Sequence, residues 1–420
     1  VPNSQRDRSS RALKNDEALR VAAVKEILEA GVDHVSLREV SRRAGLTHGA
    51  AYARFENMGE LLVDLWTSTL RSRMVALCEL ALRAAEKPDD ESVSNLVSIL
   101  RDREPADVAA VHVLLVARRI PTLHEEVEPF ITNFLEPDED LTPDSRATFS
   151  RAVSLFSLFT VCLLVESQYG SSEAYHDALE ALLKEALLVK PSEVNPPTFR
   201  PPYVLAPLEF GDDLRSRIEL ATFSVVGKSG YAEATVSRIA RRANSSPGAI
   251  YKTHTSKEGL LADSFVNVVG ARWIAAATFS SILNESSLTS LLEFEASEGN
   301  ELRRDFMLES VLAAAYSQTI RSAMLRQFGE FEVLMSRVTD IDDEQRVCLS
   351  HMIRTLYSLA IGVGWLATLT RTAKDHDFNQ FAEPLRRTLL RDCLPDWESV
   401  SQQLLRVNPA APRRFFEPRT

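Results

Sequence analysis

A chain of 420 residues is too long for one ordinary core, and 45% hydrophobic with 25% charged residues is the balance of a globular protein of about two domains. A net charge of −11 argues against a polyanionic partner only until its distribution is read: residues 1–55 hold ten Lys/Arg against seven Asp/Glu, residues 212–258 eight against five, and the remainder carries the acidic excess. Two mildly basic caps on an acidic body can be steered toward phosphate by the caps alone.

Residues 1–15 are polar and Arg-rich without an apolar stretch, so they read as a flexible basic N-terminus and not as a signal peptide. Asn15-Asp-Glu offers a cap and an acidic first turn for a first helix, which Gly31 stops. Ser36-Leu-Arg-Glu39 predicts a capping box, with the serine capping a second helix and the glutamate reaching back to the serine amide. Leu37, Val40 and Ala44 then share a face. Gly45 falls where the chain must reverse, at positive φ, and Thr47 caps a third helix. Residues 16–58 are thus a three-helix head with a helix-turn-helix. A larger helical body follows over 59–190, opened by a long helix at 61–85 and closed by a long apolar helix at 146–168 with a partner at 173–189. Pro191, Pro196, Pro197, Pro201, Pro202 and Pro207 make 191–211 an extended linker. At about 3.1 Å per residue it could span roughly 60 Å.

The second half repeats the first. Residues 31–52 align without a gap on 230–251, 199 positions later, with Gly, Arg-Arg-Ala, Gly-Ala and Tyr recurring in place. A recurrence at this distance is a duplicated domain and not a solenoid. Asn244 replaces Gly45, the next-best residue for a left-handed corner, and Ser246-Pro247 supplies a cap followed by a first-turn proline. The second head covers 212–257 and the second body 258–400, with long helices at 260–283, 346–370 and 378–391 and a tail at 401–420. Helical periodicity dominates and 15 glycines are few for a β-rich chain, so the fold class is all-α. Apolar runs such as 161–165 and 311–315 fall far short of the roughly 20 residues of a membrane span. Cys78, Cys162, Cys348 and Cys393 sit at no metal or redox spacing and read as reduced core thiols.

Both heads resemble the N-terminal DNA-binding domain of the TetR (tetracycline-repressor-like) family of bacterial regulators. The family's polar cap, turn and "GAxYxxF" signature is matched by Thr47-His-Gly-Ala-Ala-Tyr-Ala-Arg-Phe55, and its "SKExLL" helix start by Ser256-Lys-Glu-Gly-Leu-Leu261. The resemblance implies that Ser36 and Thr235 touch phosphate. It implies that Thr47, His48, Gly49, Ala50 and Tyr52 face the major groove, with Ser246, Pro247, Gly248, Ala249 and Tyr251 in the second copy. The first turn of a recognition helix does reach base edges, and small residues let its backbone come close. Arg38 and Ser237 join the DNA-facing set, Arg54 and Lys252 stand within reach of phosphate, and Lys257 suits a phosphate clamp at a helix start. The copies depart unequally from the family pattern. Met58 replaces a family lysine, and His254 for Phe55 and Ser245 for Leu46 weaken the packing of the second recognition helix. The two heads should therefore read different half-sites.

Family members work as homodimers, so two heads in one chain imply a single-chain pseudo-dimer in which 146–189 packs against 346–391 and an imperfect palindrome of double-stranded DNA is read. A homodimer of chains with four heads is the rival arrangement. The family's bodies bind small effectors, here an apolar or aromatic one, with His112, Phe130 and Phe134 as candidate lining in the first half and Trp273, Phe306, Tyr316, Phe328 and Phe331 in the second. The expected function is a cytoplasmic transcriptional repressor released by its effector. The alternative is a protein-binding adaptor with degenerate heads. No zinc-protease, phosphate-loop, nucleophile-elbow or Cys/His motif occurs, and residues 136–140 lack the spacing of a calcium loop and read as solvated, so no enzyme, metal or cofactor is expected.

Overall fold

A computed structural model describes residues 2–135, 141–170, 172–194, 212–266, 287–335 and 342–393, and every regular element among them is helical. The chain forms two compact units, Val1–Ala76 with Arg103–Phe134, and Leu77–Asp102 with Leu135–Thr420. They do not follow the sequence duplication: the helices that close the first half belong to the same unit as the whole second half.

In chain order the helices reaching Leu135 are α1 (Pro2–Ala30), α2 (Leu37–Arg43), α3 (His48–Tyr52), α4 (Met58–Leu65), α5 (Arg71–Glu86), α6 (Asp90–Arg101), α7 (Pro105–Val116) and α8 (Pro121–Leu135). A π-turn at Trp66–Leu70 links α4 to α5, so the long helix expected at 61–85 is continuous but locally widened. The first unit holds α1 to α4, the opening of α5, α7 and α8. Residues 3–30 contain neither Gly nor Pro, and nothing interrupts the helix. Hence α1 starts at Pro2 and not at an Asn15 cap, and residues 2–15 are helical where a flexible terminus was expected. Gly31, at φ 76°, ends it. Leu19, Ala23 and Ile27 of α1 and Leu61, Leu62 and Leu65 of α4 are all buried. Arg20 ties the two helices through a two-pronged bond to Asp64 at 2.8 and 3.0 Å. Every residue of α7 from Val108 to Val116 is buried, including His112.

The second unit adds α9 (Pro143–Tyr169), α10 (Glu173–Leu188), α11 (Leu214–Glu233), α12 (Val236–Arg242), α13 (Pro247–Thr253), α14 (Lys257–Phe265), α15 (Ser287–Ala296), α16 (Glu301–Ala314), α17 (Gln318–Met335), α18 (Asp343–Leu369) and α19 (Asn379–Cys393). The proline-rich segment beyond 194, the helix expected at 260–283 beyond 266, the loop 136–140 and the tail lie outside the described residues.

Two 27-residue helices, α9 and α18, stand 200 positions apart in sequence and pack along one another, flanked by α10 and α19. Phe156, Phe159 and Leu163 of α9 and Leu359, Val363 and Trp365 of α18 are buried along this pair, with the Phe156 and Trp365 rings 6.2 Å apart. Both long helices are apolar enough to cross a membrane by length and composition. Counting uninterrupted runs missed this, because Ser150, Ser154 and Ser157 break the run on α9 while lying buried in it.

Buried charges in the bundle meet either an opposite charge or backbone carbonyls. Glu166, fully buried on α9, accepts from or pairs with His176 Nε2 at 2.8 Å and stands 3.7 Å from Arg354 of α18. The Arg354 guanidinium lies 4.3 Å from the centroid of the Tyr175 ring, and the Tyr175 hydroxyl is 3.3 Å from Thr355 Oγ1. Arg151 of α9 donates to the Gln380 carbonyl of α19 at 2.9 Å. Cys78 and Cys162 are buried free thiols as expected, but Cys348 is disulfide-bonded. Sequence spacing could not foresee that pairing, which depends on Cα proximity in the fold.

Candidate nucleic-acid interface

The corner between α2 and α3 turns on Gly45 at φ 67°, and the corner between α12 and α13 on Asn244 at φ 50°. Ser36 Oγ accepts from the Glu39 amide and Thr235 Oγ1 from the Arg238 amide, each at 3.2 Å, so the second helix of each head is capped alike. The predicted capping box is only half made. The Glu39 carboxylate turns to Arg42 Nε at 2.7 Å, and this charge-assisted bond holds it below its usual titration range.

The helices expected to read DNA are α3 and α13. Ser246 caps α13 by accepting from the Ala249 amide at 3.2 Å, with Pro247 in its first turn. Thr47 occupies the equivalent position before α3 but its hydroxyl makes no cap hydrogen bond, contrary to expectation, and it faces outward. Thr47, Gly49, Ser246, Pro247 and Gly248 are exposed, Ala50 and Ala249 half-buried, and Ala51 and Ile250 point into the heads. The His48 side chain lies outside the described set. Tyr52 is 50% and Tyr251 56% exposed, so neither is a buried bridge between helices. Glycine in a helix costs about 1 kcal/mol relative to alanine. Yet a Cβ at Gly49 would meet no atom within 4 Å, and one at Gly248 only Ser246 Oγ at 3.9 Å. Nothing among the described residues demands these glycines.

The basic residues divide. Arg38, Thr235, Ser237 and Lys252 are exposed and Ser36 half-buried. Arg54 turns inward to α1, 2.9 Å from Asp16 and donating to the Ala12 carbonyl at 3.0 Å. Lys257 folds back over the Tyr231 ring, 4.2 Å from its centroid, and donates to the Ala232 carbonyl at 3.1 Å. Both fasten the heads and neither projects as a phosphate clamp would. His254 is buried where Phe55 is buried in the first copy, with Nδ1 2.9 Å from Thr253 Oγ1 and Nε2 3.4 Å from Asp263. Burial lowers its pKa, and the ring occupies the site that Phe55 holds in the first copy. Arg238, Arg241 and Arg242, counted from the sequence only in the summed charge of 212–258, all stand exposed on α12.

Against this geometry, the sequence profile of the bacterial regulatory proteins of the tetR family matches twice, at residues 19–65 and 220–263. The chain is a TetR-family regulator with two tandem DNA-binding domains. No curated protein matches it as a relative.

In this TetR-family chain the aromatic residues expected around an effector fill packing positions. In the first unit Phe130 sits edge-on to Trp66 at 5.5 Å and 5.3 Å from Phe134, and burial pushes the His112 pKa down to about 4. In the second unit Phe306 packs on Phe223 at 5.0 Å and Tyr316 faces Tyr231 at 6.5 Å, both against α11. Glu309, next to them on α16, accepts from the Tyr231 amide at 3.0 Å and so holds the backbone beside the Gly230 kink. Trp273 and the side chains of Phe328 and Phe331 lie outside the described residues. A small cleft in this unit is lined by Glu295, Arg304, Met307, Ile361, Gly364 and Trp365, none of them among those candidates.

Proposed function

We propose that this TetR-family regulator acts as a single-chain pseudo-dimer. One molecule brings two non-identical recognition helices, α3 and α13, to the two halves of an imperfect palindrome. It represses transcription until a small apolar or aromatic molecule in the helical bodies shifts the heads. The proposed DNA-facing set is Thr47, Gly49, Ala50 and Tyr52 in the first head and Ser246, Pro247, Gly248, Ala249 and Tyr251 in the second. Arg38, Ser237 and Lys252 flank them.

One observation supports this reading above the others. The helix pair that closes the first half, α9 and α10, shares a core with the pair that closes the second, α18 and α19. Two chains of an unduplicated regulator would have to meet to bury such faces. Here the covalent link supplies the second set at high effective concentration. Binding of the chain to its duplex should therefore rise with the first power of protein concentration, down to the lowest concentrations measured. A second-power dependence would mean that two chains must associate first and would overturn the single-chain reading.

A further inference from the structure

The two heads differ most in electrostatics, at positions that do not belong to the recognition helices. In the first head Arg43 is held by Glu26 and Glu29 of α1, and Arg42 by Glu39. Glu29 and Glu39 are both pulled below the usual carboxylate range by these bonds. The aligned positions in the second head carry no acid: Val225 stands for Glu26, Lys228 for Glu29 and Arg238 for Glu39. Arg241 and Arg242, the counterparts of Arg42 and Arg43, are exposed and have no ion-pair partner among the described residues. Five aligned positions thus hold three carboxylates and two arginines in the first head, against one lysine, three arginines and one valine in the second.

We infer that the second head is the chain's principal phosphate anchor and that the first head contributes sequence discrimination with little electrostatic affinity. The inference rests on the DNA-binding reading above. Its physical basis is counterion release: each phosphate neutralised by an unpaired cation steepens the fall of affinity with salt, whereas an arginine already paired within the protein brings little net charge to the duplex. On α12, Arg241 and Arg242 stand exposed in the last turn and make no ion pair among the described residues. On α2, Arg42 and Arg43 are spent in binding the helix to α1 and to itself, and Arg38 alone of its arginines makes no ion pair among the described residues. The consequence is an order of events: the second head lands first, on almost any duplex, and the first head then tests the neighbouring half-site.

The test uses the full chain and a random-sequence duplex of about 40 base pairs, because sequence-independent binding isolates the phosphate contribution. Affinity is measured from about 50 to 200 mM salt for the unaltered chain, for Arg241→Ala with Arg242→Ala, for Arg42→Ala, and for Glu29→Lys. These side chains are on the surface, and unchanged circular dichroism and melting temperature verify the fold. The slope of log affinity against log salt should lose between about 1 and 2 on removal of Arg241 and Arg242, at about 0.9 per phosphate. It should change little for Arg42→Ala, and Glu29→Lys should steepen it. Equal losses from the two heads, or an unchanged slope without Arg241 and Arg242, would overturn the inference while leaving DNA binding intact. A chain that binds no duplex even at low salt would overturn the DNA reading and this inference together.

Discussion

Gly362 of α18 lies so close to Ser157 of α9 that a methyl group on it would overlap the Ser157 carbonyl and stand 3.1 Å from the Ser157 Cα. The obstacle is backbone, which cannot swing aside as a flexible side chain can. The contact marks a close approach of the core helices of the two halves, on which Phe156 and Trp365 also meet.

Gly362→Ala should therefore force α9 and α18 apart and lower stability by about 1–3 kcal/mol or more, the usual cost of overpacking a well-filled core. Thermal or urea unfolding reads it directly. An unchanged midpoint would mean that the crossing can relax and that the close approach is not required.

The opposite result is expected at Gly49, where a Cβ would touch nothing. Gly49→Ala should keep or slightly raise stability through helix propensity, by up to about 1 kcal/mol. It should weaken DNA binding, because the added methyl falls on the face offered to the duplex. Intact DNA affinity would show that α3 does not approach closely.

Removing the buried carboxylate of Glu166 should leave His176 Nε2 and Arg354 without their acceptor inside the bundle. Glu166→Leu should cost on the order of 3 kcal/mol, and adding Arg354→Met should recover part of that loss. Additive losses in the double variant would show that the two groups are not coupled.

His112 supplies a pH dependence. Burial pushes its folded pKa down to about 4, below an ordinary value of 6.5. Between these values the unfolded chain binds the proton and the folded chain does not. The stability contributed by the neutral ring is thus present above pH 6.5 and lost as pH falls toward 4, on the order of 3 kcal/mol. His112→Gln should flatten unfolding stability over that window. A slope unchanged by the substitution would place the titration elsewhere.

Tyr52 and Tyr251 should separate the heads functionally. Tyr52→Ala should relax protection of one half-site and Tyr251→Ala of the other, each by about 1–3 kcal/mol, the range of a base contact. Footprinting distinguishes them, and a variant that alters neither half-site would show that its head is not engaged.

Local chemistry made the heads legible. Gly45 and Asn244 adopt the positive φ that their residue types favour, and Ser36, Thr235 and Ser246 cap as short polar side chains do. What depends on distant partners was not legible. Glu39 prefers Arg42 to the Ser36 amide, Arg54 finds Asp16, and Lys257 finds the Tyr231 ring, because each long side chain chooses among neighbours that only the fold supplies. The helix from Pro2 escaped notice because a plausible cap at Asn15 outweighed the absence of any breaker before it. The same limit applies to Gly362, whose meaning is the Ser157 backbone across the bundle.

The most direct measurement is to select bound duplexes from a random pool with the full chain and to determine the mass of the resulting complex. One chain per duplex, on an enriched imperfect palindrome whose halves differ, is the predicted result. Two chains on a perfect palindrome, or no enrichment at low salt with the protein folded, would contradict the account of a single-chain regulator reading two half-sites.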